Sequence, residues 1–153
     1  MIQKLSIKDT LDVLDFVNKT KDVYFDFYIT KNNKRIFLRK DSTLIQKLLK
    51  SQQVFAIKNK EIESLMLLYI KKPFRPYIKF LVKNNCDYKI YIDFLKSNFS
   101  NMELYLKVKQ NNPIVNELLN TTMIGSQKRY IPKEGFSIGG FRGKEILIIL
   151  NKK

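Results

Sequence analysis

The sequence predicts an α/β domain with a mixed, mainly antiparallel sheet. Two observations carry this. Apolar periodicity runs in the order strand, helix, hairpin, helix, three strands, helix, strand, helix and strands, and neighbouring strand-like stretches are joined by short polar turns. The 153 residues, 44% of them hydrophobic, are enough for one real core, and no repeat, low-complexity stretch or linker divides them, so 1–153 reads as a single domain.

MIQKLSI is the first strand. Asp9 or Thr10 then caps a helix with Leu11, Leu14 and Val17 on one face, widened by Val13 and Phe16, that ends near Lys19. In VYFDFYIT, Val23, Phe25, Phe27 and Ile29 alternate with Tyr24, Asp26 and Tyr28, and KNNK separates this strand from RIFLRK as in a hairpin. Asp41 or Ser42 opens a second helix with Leu44, Ile45, Leu48 and Leu49 inward.

VFAIKN and EIESLMLLYIKK follow, joined by a polar turn over residues 58–60. After the break between Pro73 and Pro76 comes YIKFLVK, and these three strands form the sheet centre. The next helix spans 88–98, with Ile90 and Phe94 inward and Tyr91 and Leu95 beside them. MELYLKVK is another strand, and PIVNELLNT a short helix with Pro113 in its first turn, where a missing N–H costs nothing. The tail from Gly125 contains the glycine-dense GFSIGGFRG and a last strand, EILIIL.

Composition removes several chemistries. One cysteine, Cys86, excludes an internal disulfide, and the absence of histidine excludes imidazole metal ligands and imidazole acid-base pairs; no metal site is expected. No window reaches the roughly 18 to 20 apolar residues of a membrane span, and the N-terminal stretch lacks the apolar core of a signal peptide. The expected setting is a reducing one, cytoplasmic or within a viral particle, without membrane contact. Lys and Arg outnumber Asp and Glu by 29 to 14, a formal charge of +15, which suits a polyanionic partner. The lysine, asparagine and isoleucine usage of an AT-rich genome, with lysines on solvated faces, explains the same counts.

The stretch VKNNCDYKIYIDFL, strand end, loop and helix, resembles the GNAT acetyltransferase superfamily. Its members carry a strand ending in valine, a loop containing R-G-x-G-x-G, and a helix ending in paired leucines. Val82 stands at the valine, and Phe94 and Leu95 at the paired leucines. Cys86 stands where the arginine is expected, and Asp87, Lys89 and Tyr91 where the three glycines are. Further on, Val108, Asn112 and Val115 follow the family's V-x-x-x-N-x-x-A, but Leu119 replaces the tyrosine that protonates the leaving thiolate, and Met123 and Ile124 replace Gly-Phe.

The resemblance implies a GNAT-like sheet flanked by helices, and a loop that in the family holds the pyrophosphate of acetyl-coenzyme A on backbone amides, with glycine allowing close approach. It places Phe80, Leu81, Val82 and Lys89 at the acyl-coenzyme A position. With the glycines and the tyrosine replaced, the expectation is a non-catalytic binding or structural module with no cofactor, whose basic surface meets a protein assembly or nucleic acid. Such a small, lysine-rich chain is compatible with a virus or mobile element. The alternative is a divergent acyltransferase using acetyl-coenzyme A, and a second alternative is a nucleic-acid-binding factor.

Individual residues have competing uses. Cys86 is a nucleophile or a plain structural thiol. Tyr88, Tyr91, Tyr105 and Tyr130 are relocated acids or core and rim aromatics. KKPFRPYIK mixes Lys71, Lys72, Arg75 and Lys79 with Phe74 and Tyr77, which suits phosphates and stacked bases, or a rigid turn. Arg142 and Lys144 lie in a glycine-rich turn that holds an anion or only closes a hairpin. If the charge serves a polyanion, Lys71, Lys72, Arg75 and Lys79 gather with Arg142 or Lys144 on one face.

Overall fold

A computed structural model describes residues 2–20, 28–37, 41–70, 75–82 and 84–152. Seven strands form one sheet in the order β1-β4-β5-β6-β7-β11-β10, comprising β1 (Ile2–Lys4), β4 (Gln53–Asn59), β5 (Glu61–Tyr69), β6 (Tyr77–Val82), β7 (Leu104–Lys109), β10 (Phe136–Arg142) and β11 (Glu145–Leu150). All neighbours are antiparallel except β6 and β7, which are parallel. Two separate ribbons, β2–β3 (Tyr28–Lys31, Lys34–Phe37) and β8–β9 (Leu119–Ile124, Gln127–Pro132), stand apart from it. The sheet is therefore mixed and mainly antiparallel, as expected.

Strand alternation splits the apolar side chains between two cores. On one face Leu65 and Leu67 of β5 and Leu81 of β6 pack with α1 (Thr10–Lys19) and α2 (Ser42–Ser51), through Val13, Phe16, Val17, Ile45, Leu48 and Leu49. On the other face Met66 and Leu68 of β5 and Ile78 and Phe80 of β6 pack with α3 (Cys86–Asn98) and α4 (Ile114–Leu118). Asp41 caps α2, its carboxylate accepting from the N–H groups of Thr43 (3.0 Å) and Leu44 (3.1 Å). Asn32 and Asn33, both at positive φ (52° and 61°), form the β2–β3 turn, as a two-residue hairpin of the I′ kind requires. The upstream part of that predicted strand, through Phe27, lies outside the described residues.

Tyr91 fixes α3 to the sheet. The β4–β5 register shifts between Ile57 and Lys58, and the buried Tyr91 hydroxyl accepts the Ile57 N–H (3.1 Å) and shares a hydrogen bond with Ser64 Oγ (2.8 Å). Burial pushes this phenol well above its ordinary range, and the bonds to Ser64 and Ile57 only partly counter that. It stays neutral and is held inside the core by these two bonds.

Three expectations need correction. Ile90 is 38% exposed and Phe94 half-buried against Phe55; the inward stripe is Tyr88, Tyr91, Ile92 and Leu95, because the helix rotates to bring Tyr91 onto β4 and β5. Leu11 is 73% exposed, since α1 needs only Val13, Phe16 and Val17 to cover its side of the sheet. The short helix stops at Leu118, and Asn120 and Thr121 belong to β8, in a ribbon the sequence did not signal clearly.

Replacing Tyr91 with Phe leaves the Ile57 N–H and the Ser64 hydroxyl buried without their partner. Denaturant unfolding is expected to show a loss of about 1 to 3 kcal/mol, and the Ser64→Ala/Tyr91→Phe pair to lose less than the sum of the single changes. Asp41→Ala removes a helix cap and is expected to lower stability by about 1 kcal/mol in the same measurement; an unchanged midpoint would contradict the cap.

Candidate functional site

The candidate site lies where β6 ends and α3 begins. β6 and β7 are in register at Tyr77↔Tyr105, next to a hydrogen bond from Tyr105 N–H to Pro76 O (2.9 Å); no further register joins them along their length. The sheet thus has two halves that meet at the start of these parallel strands, with the α3 N-terminus at the far end of β6.

That N-terminus is closed by its own loop. The Cys86 N–H donates to Asn84 Oδ1 (3.0 Å), the Asp87 N–H to the Asn84 carbonyl (3.0 Å) and the Tyr88 N–H to the Asn85 carbonyl (3.3 Å). Amides at a helix start are anion ligands when they point outward unsatisfied. Here the first three are taken, and Asn84 supplies two of the acceptors. This role was not read from the sequence, although an asparagine two residues before a helix is a known signal for such a turn.

Side chains fill the rest of the turn. Asp87, Tyr88 and Tyr91 are buried, with Tyr88 edge-on to Phe80 at 5.5 Å and Tyr91 tilted against it at 5.7 Å. Phe80 and Leu81 lie in the two opposite cores and Val82 is half-buried, so the side chains of Phe80 and Leu81 face packing. Lys89 is exposed. Counted strictly from Val82, the family pattern V-x-P-x-x-R-G-x-G-x-G falls one residue later than the assignment above, with Asp87 at the arginine and Tyr88, Ile90 and Ile92 at the glycines. In either register all three glycine positions carry side chains.

The second half of the resemblance maps onto packing. Asn112 is buried, its Oδ1 accepting from the Ile114 N–H (2.9 Å) at the start of α4, while its Nδ2 is buried without a recorded partner. Val108, Val115 and Leu119 are core residues. Tyr105 donates to Glu103 (3.0 Å), which raises its pKa, and Tyr130 donates to Gln110 (3.2 Å). Cys86 is exposed.

Of the basic residues, Arg75 sits over the Tyr105 ring (5.1 Å) and Lys79 near Tyr69 (6.0 Å), which stacks on Tyr77 at 4.5 Å. Lys71 and Lys72 lie outside the described residues. Arg142 and Lys144 are exposed at the β10–β11 turn, beside Lys109. Arg75 and this turn occupy opposite ends of β7, so Arg75 does not join it on the single face that polyanion binding was expected to use. Lys128 and Arg129, exposed on β9, were missed; Gly-Ser followed by the polar run QKR is the hairpin signal that could have found them. A cavity of about 130 Å³ between α1 and β5 is lined by Asp12, Asp15 and Glu61, but Asp12 and Asp15 are ion-paired with Lys58 and Lys19.

No protein-family model matches the chain, and neither does any curated protein. Solved structures do resemble it. A GNAT-family acetyltransferase from Streptococcus pneumoniae aligns over 97% of this chain and 96% of its own, at 13% identity and a TM-score of 0.53. The GNAT domain of S. lividans PAT aligns over 97% and 88%, at 8% identity and a TM-score of 0.58. A chimera of the spermidine N-acetyltransferase SpeG from Vibrio cholerae and hSSAT aligns over 99% and 96%, at 13% identity and a TM-score of 0.57. Near-complete coverage in both directions, with the mixed seven-stranded sheet, gives this chain the GNAT fold.

Proposed function

We propose that the chain is a GNAT-fold binding module that does not transfer acetyl groups and whose partner is anionic, either nucleic acid or the acidic surface of a larger assembly. The observation that carries this is the closed start of α3. The N–H groups of Cys86, Asp87 and Tyr88 are satisfied by Asn84 and Asn85. A pyrophosphate would have to displace those bonds and also meet the Asp87 carboxylate. At about 4 Å two like charges repel by roughly 1 to 4 kcal/mol, depending on solvent access. The absent glycines add a steric barrier that Lys89 cannot offset by charge. These residues do not fit acetyl-coenzyme A, and Leu119 supplies no acid where the family has tyrosine. The formal charge of +15 supports an anionic partner, and because Arg75 lies at the other end of β7, the basic residues that would meet it are those at the β10–β11 turn and the β8–β9 ribbon rather than the single face around Arg75.

A second reading is favoured by one feature, the register of β6 and β7 confined to Tyr77↔Tyr105, together with the acetyltransferases among the similar structures. In that reading the backbone of Phe80, Leu81 and Val82 pairs with an extended acyl-donor arm. A neutral amine held against the thioester carbonyl then attacks it, the C–S bond breaks, and the proton lost by the amine goes to the leaving thiolate, so no side-chain acid is needed.

Calorimetric titration of the whole chain with acetyl-coenzyme A separates the two. The expected result is no saturable heat in the low micromolar range. Saturable binding there would overturn the reading of a closed site, and release of free coenzyme A in the presence of an amine acceptor would then establish the acyltransferase.

A further inference from the structure

We propose that the β8–β9 ribbon is a DNA-binding arm that enters the major groove of a B-form duplex. The ribbon spans Leu119–Ile124 and Gln127–Pro132, closed by Gly125 and Ser126, with Gly125 at φ +62° as a two-residue turn of this kind demands. Six residues per strand make it roughly 20 Å long. A two-stranded ribbon with this much exposed surface is marginal by itself in water. It is rooted on the domain by the bond from Tyr130 to Gln110 and the contact between the Tyr130 and Phe141 rings at 6.0 Å.

The charge of this segment selects the partner. Residues 119–133 contain Lys128, Arg129 and Lys133 and no carboxylate. Gln110 also donates to the Gly143 carbonyl (3.2 Å), and its N–H to the Lys144 carbonyl (2.8 Å), which sets the Arg142–Lys144 turn beside the ribbon root. Lys128, Arg129, Arg142 and Lys144 are exposed, and none is in an ion pair among the described residues. Apposing two copies of this ribbon would set like charges against each other.

Cross-strand register places Asn120, Thr122, Ile124, Gln127, Arg129 and Ile131 on one face, all exposed. Arginine, asparagine and glutamine are the side chains that read base edges, and threonine and isoleucine can meet a thymine methyl. Ile124 at the tip of this face is 54% exposed, an apolar group that can meet a thymine methyl, while Met123 and Lys128 lie on the opposite face. The major groove of B-form DNA admits a two-stranded ribbon, whereas that of A-form RNA is too deep and narrow. Phosphates flanking the groove would meet Arg142 and Lys144.

This inference rests on the partner being a polyanion and is independent of whether acyl-coenzyme A binds. Its test is fluorescence anisotropy of a labelled DNA duplex at two salt concentrations. The proteins are the native chain, a Lys128→Gln/Arg129→Gln variant, and a Lys71→Ala/Lys72→Ala/Arg75→Ala variant, with a matched RNA duplex and poly-L-glutamate as competitors. Lys128, Arg129 and Arg75 are exposed, and equal thermal midpoints verify that each variant folds. The expected result is affinity at least tenfold weaker for the ribbon variant, with a salt dependence reduced by about 1 in slope, since Lys128 is the phosphate contact of the pair and Arg129 the base contact, and little change in the other variant. Equal affinity in the ribbon variant overturns the arm while leaving the polyanion reading in place. Competition by poly-L-glutamate as effective as by DNA reassigns the ribbon to an acidic protein, preference for RNA removes the groove argument, and no binding by any protein at moderate salt overturns both readings.

Discussion

The structure depends on one buried hydroxyl. Tyr91 reaches from α3 to the point where the β4–β5 ladder slips, and there it accepts the Ile57 N–H and bonds Ser64. A shifted register exposes backbone groups that cost free energy unless another partner is found. Tyr91 is that partner, so helix rotation and sheet irregularity are fixed together. With Tyr91 inward, Tyr88 one turn earlier must also point inward, onto Phe80, and Lys89 and Ile90 must face solvent.

This orientation reaches the start of the helix. Asp87 is buried beside Tyr88, and the preceding asparagines fold onto the first amides instead of leaving them open. An anion site at a helix terminus needs outward N–H groups and room for close approach. Here a large aromatic anchor and a self-capped turn occupy the same few residues, so packing and anion binding compete for them. The chain has the GNAT fold, and its turn before α3 is organised around the core.

Of the two charge arrangements the sequence allows, one basic face or lysines spread over solvated faces, the placement of Arg75 fits the second. Arg75 lies over Tyr105 at one end of β7, while Arg142 and Lys144 lie past Lys109 at the other, beside the root of the β8–β9 ribbon. Strand connectivity decides this. A parallel pair puts the starts of β6 and β7 together, and the antiparallel β11 brings its preceding turn to the opposite end. Residues equally basic in the sequence thus belong to different surfaces.

Much of the architecture is set by local sequence. The apolar runs of β4, β5 and β6, the cap at Asp41 and the Asn32-Asn33 turn each follow from composition, spacing or backbone preference, so they are legible without a partner in view. The inward stripe of α3 is only partly so. Spacing groups Tyr91 and Leu95, which are buried, with Ile90 and Phe94, and leaves out Tyr88 and Ile92, which are buried as well. Only the sheet chooses, because Tyr91 carries the hydroxyl that the displaced Ile57 N–H and Ser64 require. The same holds for Asn84, whose short polar side chain in a loop acquires a role when the helix start is built beside it. Period and turn chemistry act between near neighbours and can be read along the chain, whereas the pairing of polar groups 27 and 34 residues apart exists only once the tertiary structure has formed.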